Sequence, residues 1–262
     1  AVCDHSSGVI FIGTDGGGIT GFNRRTRQVI RLRHNPAAPN SPKFLSSDRV
    51  FCLLEDRDTS LWIATYGGGL NRYNPTSGKF THYRHRPGLP GSLPDDNIRS
   101  LYLDFSGTLW VGTVTCGLAY FDRTTRRFLR PEVSKIIKLS GEGKTEILFS
   151  SDDEAFSPPP PPFLNPLLSG HIFWITGDSR GQLWIAAYDT GVLRYNPASG
   201  ELLILNHASL NPDSLSTNSV ITVFVDRRDN VWVGTNGGGL CLISQRQPAQ
   251  LAPDSSDRLT IT

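Results

Sequence analysis

Apolar residues in this chain fall into short runs separated by clusters of Gly, Asp, Asn and Ser. One representative stretch contains four such runs: Ile98–Leu103, Leu109–Thr113, Leu118–Asp122 and 127–130. β-Branched and aromatic residues dominate the runs, which is typical of strands joined by hairpins. The second run begins Leu-Trp-Val without polar alternation, so we expect it to be buried on both faces. The runs have no helical periodicity, which argues against a helical repeat.

The four-run pattern recurs along the chain. Segment 61–78 returns 122 residues later as segment 183–200, with twelve of eighteen positions identical. Three weaker copies bring the total to five, and the steps between their aromatic anchors are 51, 48, 74 and 48 residues. The anchors are Phe11, Trp62, Trp110, Trp184 and Trp232. A four-strand repeat of about 40–50 residues predicts an all-β fold, a β-propeller of four-stranded antiparallel blades. Because each blade buries its apolar faces against its neighbours, the five anchors are predicted to be core residues.

The spacing predicts about five blades, at 1–34, 47–86, 97–137, 170–207 and 218–254. Segment 255–262 echoes the start of the second blade, so we expect the next blade to begin at 255. A seven-bladed ring of this repeat would need about 340 residues. We therefore favour part of a larger, seven-bladed ring. The alternative is a five-bladed ring closed by pairing the two end strands.

An insertion at 138–168 interrupts the repeat and contains five consecutive prolines, 158–162. Such a stretch favours an extended, solvated polyproline II conformation. We expect the insertion to lie outside the blades as a surface excursion that is poorly ordered around the prolines. A docking site for a partner is the alternative.

Composition excludes some functions. The net charge is +2 and charges of both signs are mixed along the chain, so we expect no nucleic acid to bind this segment. No window approaches the eighteen apolar residues of a membrane helix. The four cysteines are scattered without a C-x-x-C motif. We interpret them as small buried hydrophobes rather than a disulfide pair or a metal site.

Several motifs suggest chemistry but have simpler structural interpretations. Glycine triplets such as 67–69 lack the helix that follows a phosphate-binding loop, so we interpret them as hairpin turns. The Asp-rich segments 56–60 and 226–230 occupy a first hairpin and lack the ligand spacing of a calcium loop. His82 and His85 would face opposite sides of a strand. We therefore predict no metal, no cofactor and no catalytic residue.

The turn between the second and third strands should share a side with the loop between blades, because successive strands reverse direction. On that side the copies differ in sequence, which makes those positions candidates for ligand contact. Tyrosines there offer stacking surfaces for sugar rings, and arginines offer paired hydrogen bonds to a carboxylate. The alternative is that they are ordinary solvated loop tips. The candidates are Tyr66, Arg84, Arg86, Tyr188, Asp189 and Asn236.

The copies resemble the two-component regulator propeller repeat family. The resemblance rests on Asp104-Phe-Ser-Gly107 before Leu-Trp-Val-Gly-Thr113, on Gly68-Gly-Leu70 before Tyr73-Asn-Pro-Thr-Ser-Gly78, and on the loop motif Asp213-Ser-Leu-Ser216. It covers nearly the whole chain apart from 138–168. The departures are Phe11 for Trp, Val-Thr-Cys at 114–116 and the insertion.

The resemblance implies a periplasmic sensor domain of a bacterial, often hybrid, sensor histidine kinase. In that family the propeller precedes a β-sandwich, a membrane helix and a kinase module. Oligosaccharide fragments are a frequent ligand class, and the full-length protein is expected to form a homodimer. The leading hypothesis is therefore a non-catalytic, ligand-binding propeller of an inner-membrane signalling protein.

Two other functions stay open. One is a propeller lyase acting on an antibiotic or a polysaccharide, which would need a general base and usually a metal. The other is a scaffold for protein partners.

Overall fold

The structure, a computed structural model, describes residues 1–139, 145–152, 165–209, 211, 214–245 and 259–261. The chain forms two compact units, Ala1–Arg130 and Pro131–Thr262.

The first unit consists of three four-stranded antiparallel sheets in which the strands follow one another in chain order. The first sheet contains β1 (Val2–Asp4), β2 (Val9–Thr14), β3 (Gly18–Asn23) and β4 (Val29–Leu32). The second contains β5 (Val50–Glu55), β6 (Leu61–Thr65), β7 (Leu70–Asn74) and β8 (Lys79–Tyr83). The third contains β9 (Ile98–Leu103), β10 (Leu109–Thr113), β11 (Leu118–Asp122) and β12 (Arg127–Leu129).

The core of the first unit lies between neighbouring sheets. Every residue of β6 and of β10 is buried, as the Leu-Trp-Ile/Val pattern predicted. The ring of Trp62 packs edge-on against Phe121 of the third sheet, with centroids 5.5 Å apart. Phe11 meets Tyr73 of the second sheet in the same way at 6.3 Å. The first and second sheets therefore each bury one face against the next sheet along the chain.

The second unit contains two more sheets. The fourth sheet comprises β13 (Lys135–Leu139), β14 (Thr145–Ser150), β15 (His171–Gly177), β16 (Leu183–Tyr188), β17 (Gly191–Tyr195) and β18 (Glu201–Leu205). A short helix, α1 (Pro166–Ser169), precedes β15. The fifth sheet comprises β19 (Val220–Val225), β20 (Val231–Thr235), β21 (Leu240–Gln245) and β22 (Leu259–Ile261).

The structure corrects the prediction that 138–168 lies outside the blades. β13 pairs in parallel with β18, and β14 pairs with β13, so the fourth sheet has six strands in the order β14-β13-β18-β17-β16-β15. The apolar pair Ile136-Ile137 allows this addition, because Ile136 is fully buried in the extended sheet. The proline run lies outside the described residues, so its predicted disorder stays a prediction.

The fifth sheet differs from expectation in two ways. β22 pairs antiparallel with β21 as a fourth strand, whereas we expected a new blade to begin at 255. Trp232 was predicted to be a core residue but is 36% exposed, while Trp62 and Trp184 are fully buried. The reason is that Trp232 lies beside exposed Phe224 on a face of the fifth sheet that the described residues leave partly open.

All four cysteines are free thiols. Cys241 is buried and the other three are half-buried. Burial raises the pKa of the Cys52 thiol to about 11, so that thiol stays protonated near neutral pH. None of the described helices is long and apolar enough to cross a membrane.

The predicted fold class is confirmed. The described chain is nearly all-β, and four of its five sheets are four-stranded and antiparallel, as in a propeller.

Candidate functional site

The repeated tryptophans are fixed by a carboxylate in the preceding hairpin. In the second sheet the indole nitrogen of Trp62 donates to Oδ2 of Asp56 over 2.8 Å. The same bond recurs in three further sheets, as Trp110–Asp104 at 2.8 Å, Trp184–Asp178 at 2.9 Å and Trp232–Asp226 at 3.2 Å. These aspartates are therefore part of the scaffold.

The carboxylates of these hairpins accept hydrogen bonds from side chains around them. Burial raises the pKa of Asp56, but hydrogen bonds from Arg123 and Trp62 outweigh it and leave the pKa below its ordinary value. Arg123 comes from the third sheet and binds both oxygens, at 2.9 and 2.7 Å. A side-chain hydrogen bond from Asn230 is the main cause that lowers the pKa of Asp226 to about 2.

The glycine triplets form hairpin turns, as predicted. Gly67 and Gly69 adopt positive φ angles of 71° and 68°. The Thr65 hydroxyl closes the turn by donating to the Gly69 carbonyl over 2.7 Å. A Cβ at Gly69 would lie 2.2 Å from the carbonyl oxygen of Tyr83, so no larger residue fits there.

Histidines in the loops between sheets are structural and repeat in the same place. His85 Nδ1 pairs with the carbonyl of Leu93 over 2.7 Å, while its backbone N–H donates to Asp96. His34 with Leu45 and His207 with Leu215 repeat this contact at 2.9 and 2.6 Å. The Nε2 atom of His82 contacts the carbonyl of Phe44 at 3.0 Å. In the part of the chain that the structure describes, no group of three or more His, Cys, Asp or Glu could hold a metal ion.

Arg84, a predicted ligand contact, is held within the scaffold. Its guanidinium donates to the carbonyl of Gly67 over 2.8 Å and lies 3.8 Å from the Asp96 carboxylate. Arg130 donates in the same way to the carbonyl of Leu118 over 3.0 Å and to that of Cys116. In both sheets an arginine after the fourth strand therefore holds the turn between the second and third strands by hydrogen bonds to backbone carbonyls.

A loop residue joins the turns of neighbouring sheets, and we call it the junction residue. Arg49 accepts a hydrogen bond from the backbone N–H of Tyr66, in the turn of its own sheet, over 3.0 Å. Its side chain donates to Asp15, in the turn of the preceding sheet, over 2.7 Å. Asn97 and Ser219 occupy the same place. Their side chains meet the N–H of Gly67 and the carboxylate of Asp189, respectively, both at 3.0 Å. Within each unit these turns thus share one side with the loops, as the topology predicted.

A β-bulge in the first strand of four sheets re-aims one side chain beside these turns. The register of β5 against β6 shifts between Val50 and Cys52, which leaves Phe51 outside the ladder. β9, β15 and β19 shift at the corresponding point. Such bulges bend the strand locally and redirect a side chain. The bulge residues are Phe51, Arg99, Phe173 and Ile221.

In the first unit the bulge residues form an aromatic and cationic cluster with Tyr66. The rings of Phe51 and Tyr66 meet edge-on at 5.9 Å. The guanidinium of Arg49 lies 4.3 Å above the Tyr66 ring, and that of Arg99 lies 4.6 Å above Phe51. Asp15 is the acidic partner, and its hydrogen bond from Arg49 lowers the pKa of the Asp15 carboxyl. We call these five residues the rim cluster.

In the second unit the corresponding side is aromatic beside one turn and polar beside the next. Tyr188 packs against Phe173 at 5.3 Å, and Phe173 packs against His171 at 4.5 Å. The carbonyl of Ser219 accepts a hydrogen bond from the backbone N–H of Asn236 over 2.7 Å, and its hydroxyl donates to the Asp189 carboxylate. The structure therefore brings Asp189 and Asn236 to one junction residue. It does the same for Asp15 and Tyr66 in the first unit.

Sequence reasoning missed the bulge residues and Arg49. These positions differ between copies, as Phe51, Arg99 and Ile221 do, and that variation is the feature that could have marked them. Arg86, the remaining candidate, is exposed on the loop between β8 and β9. Ligand contact by the predicted residues stays a prediction.

A sequence model of the two-component regulator propeller matches residues 45–67, 92–115 and 214–237. Each match contains a leucine paired with a loop histidine, a junction residue, a bulge residue and the tryptophan strand. These segments are two-component regulator propeller repeats.

Three known proteins are similar to this chain in sequence or in fold. The extracellular domain of a hybrid two-component system from B. thetaiotaomicron aligns with a TM-score of 0.65 at 21% identity, covering 100% of this chain and 30% of that domain. Virginiamycin B lyase from Staphylococcus aureus aligns with a TM-score of 0.59 at 14% identity, covering 100% of this chain and 68% of the lyase. Histidine kinase P4 of Formosa agariphila is 26% identical over 74 residues, which are 28% of this chain and 5% of the kinase. The chain thus spans a small part of the two signalling proteins.

Proposed function

We propose that this chain is a non-catalytic sensory segment from the extracytoplasmic part of a bacterial two-component signalling protein. It would bind a small ligand and pass the signal to a kinase module outside these 262 residues. Three regulator propeller repeats support this role, as does the similarity to the extracellular domain of a hybrid two-component system. A β-sandwich, a membrane helix and a homodimeric assembly of the complete protein belong to the same proposal.

The observation that carries the proposal is the division between fixed and variable side chains. Tryptophans, hairpin aspartates, turn glycines and loop histidines repeat and are committed to hydrogen bonds within the scaffold. Bulge and turn residues change from copy to copy and lie together on one side of each unit. A binding protein built from repeats varies its surface in this way while keeping its frame.

The chemistry of the rim cluster favours a glycan fragment that carries a carboxylate. Tyr66 is 37% exposed and presents an aromatic surface with a polar tip, which suits a sugar ring. Arg49 and Arg99 supply two cations against the single carboxylate of Asp15. A guanidinium binds a carboxylate through two parallel hydrogen bonds, so a uronic acid fits this balance of charge.

The test compares tyrosine variants of the complete sensor domain by calorimetry against a panel of neutral and uronic oligosaccharides. We expect Tyr66→Ala or Tyr188→Ala to weaken binding about fivefold or more, as loss of a stacking aromatic contact costs about 1 kcal/mol or more. Tyr66→Phe keeps the ring and should lose less. Phe105→Ala is the matched control. Phe105 is an exposed aromatic residue in the hairpin between β9 and β10, and not in a turn between second and third strands.

Unchanged affinity in both alanine variants, for an oligosaccharide that the wild type binds, would contradict the proposed site. The same samples distinguish a sensor from a lyase. An oligosaccharide whose mass is unchanged after prolonged incubation supports binding without catalysis, whereas shortened or unsaturated products would favour the lyase.

A further inference from the structure

The first unit has a groove between the β8–β9 loop and the turn that joins β11 to β12. Its volume is about 370 Å³, which falls within the size range of small-molecule sites. The backbone N–H of Phe128, in the edge strand β12, donates to the carbonyl of Gly91 over 2.9 Å and closes one end. Exposed Leu89 and neighbouring Pro90 supply an apolar patch.

Four arginines line this groove, and no Asp or Glu does. Arg84 is engaged by Gly67 and Asp96. Arg86, Arg126 and Arg127 are exposed, and none of them forms an ion pair with another described residue. The groove therefore has three cations whose charge is not offset by the described part of the chain.

At the corresponding place between the first and second sheets, only one of the three positions carries a cation. His34 and His85 make equivalent loop contacts, and Phe80 N–H donates to Pro42 as Phe128 N–H does to Gly91. The residues that correspond to Arg86, Arg126 and Arg127 are Asn35, Gly78 and Lys79. The accumulation of arginines is thus a property of this groove and not of the repeat.

Two backbone features accompany the arginines. Arg126 has a φ of 56°, where the turns of the second and fourth sheets have Gly78 and Gly200 at 66° and 73°. A side chain in this region carries a conformational cost, which Arg27 also bears in the first sheet at a φ of 60°. On the opposite wall a Cβ at Gly91 would lie 2.7 Å from Cδ of Arg127, so glycine allows the arginine stem to lie against the loop.

We propose that this groove binds a small ligand with at least two anionic groups, either carboxylates or phosphate or sulfate groups. Arg86 holds one group from the loop, while Arg126 and Arg127 hold the other from the turn. The carbon frame of the ligand packs on Leu89 and Pro90. This site does not depend on the proposed sensory function or on the rim cluster.

The experiment titrates the chain of 262 residues with citrate and, separately, with pyrophosphate at low ionic strength. We expect saturable binding that weakens as sodium chloride is added, since salt screens exposed charges. Arg126→Gly should raise Kd about tenfold through the loss of charge-assisted hydrogen bonds. Arg86→Asn installs the residue of the equivalent loop and should have a similar effect.

Arg27→Gly is the matched control. Arg27 occupies the same turn position in the first sheet with a φ of 60°, so the substitution removes the same charge and the same backbone cost. We expect it to leave Kd unchanged and both glycine variants to fold.

Binding of citrate alone would assign carboxylates, and binding of pyrophosphate alone would assign phosphate or sulfate. Absence of saturable binding for both anions, or equal weakening by Arg27→Gly and Arg126→Gly, would overturn the proposal. Loss of oligosaccharide binding in Tyr66→Ala would not affect this outcome.

Discussion

At the scale of the residue, the indole of each fully buried tryptophan, Trp62 or Trp184, has two roles. Its ring fills the space between sheets, and its N–H satisfies an aspartate that also organises the first hairpin. A buried carboxylate that lost this donor would keep its desolvation cost with one compensating hydrogen bond fewer. The Trp–Asp pair therefore couples the packing of a sheet to the conformation of its turn.

Burial should decide how much each tryptophan contributes to stability. Trp184 is fully buried and Trp232 is 36% exposed, although they occupy the same position in neighbouring sheets. We expect Trp184→Ala to lower the free energy of unfolding by about 3–5 kcal/mol, the cost of a large buried cavity. Trp232→Ala, the matched control, should cost less than about 2 kcal/mol. Urea unfolding followed by circular dichroism measures both, and equal losses would contradict this explanation.

Repetition explains which residues could be predicted from the sequence. Trp62 and the turn glycines were identified because each copy places the same residue type under the same constraint. Tyr66 and Tyr188 were singled out because the copies differ in a turn. Phe51 and Arg99 were missed because a bulge adds one residue to the strand, and the resulting change of direction depends on hydrogen-bond register. Spacing in the sequence does not reveal that register.

At the scale of elements, the hairpin β13–β14 extends the fourth sheet beyond four strands. Propensity favours strands in both segments, but the parallel partner β18 lies about 60 residues further along the chain. Local patterns do not specify such a distant pairing, and the neighbouring prolines pointed instead to a solvated excursion. The addition covers the edge of β18 that a four-stranded sheet would leave unpaired.

The hairpin should contribute to stability through β13 in particular. Ile136 is fully buried, whereas Ile147 in β14 is 47% exposed. Ile136→Ala should lower the free energy of unfolding by about 2–4 kcal/mol through loss of buried apolar contact. Ile147→Ala makes the same chemical change on an exposed side chain and should cost less than about 1 kcal/mol. Denaturant titration compares the two. A negligible effect of Ile136→Ala would show that β13 adds nothing to the sheet.

At the scale of the whole molecule, the hairpin aspartates couple folding to pH. In the folded chain the pKa values of Asp56, Asp104 and Asp226 lie below their ordinary range, that of Asp226 at about 2. The pKa of an aspartate in the unfolded chain is about 3.9. Folding thus favours the ionised form. The resulting stabilisation is complete above about pH 4 and is lost as the pH falls through the folded-state values.

We therefore expect the melting temperature to fall steeply between about pH 4 and about pH 2. Asp104→Asn removes one of these titrating groups while keeping an oxygen acceptor for the indole of Trp110. The variant should melt lower near neutral pH and show a shallower decline on acidification. Differential scanning calorimetry across this pH range measures both profiles. A wild-type melting temperature that stays constant down to about pH 2 would refute the coupling.

The junction residues have a consequence for how such a chain changes over generations. The junction residue is arginine, asparagine or serine in different copies. Its side chain contacts either another side chain or a backbone N–H. The junction position therefore tolerates substitution, while four of the five described sheets each contain their own tryptophan–aspartate hydrogen bond. A duplicated stretch of gene would encode a sheet that already contains this hydrogen bond. The exposed side chains of that sheet could then diverge by single substitutions of the junction residue and the bulge residue, without any change in the neighbouring sheets.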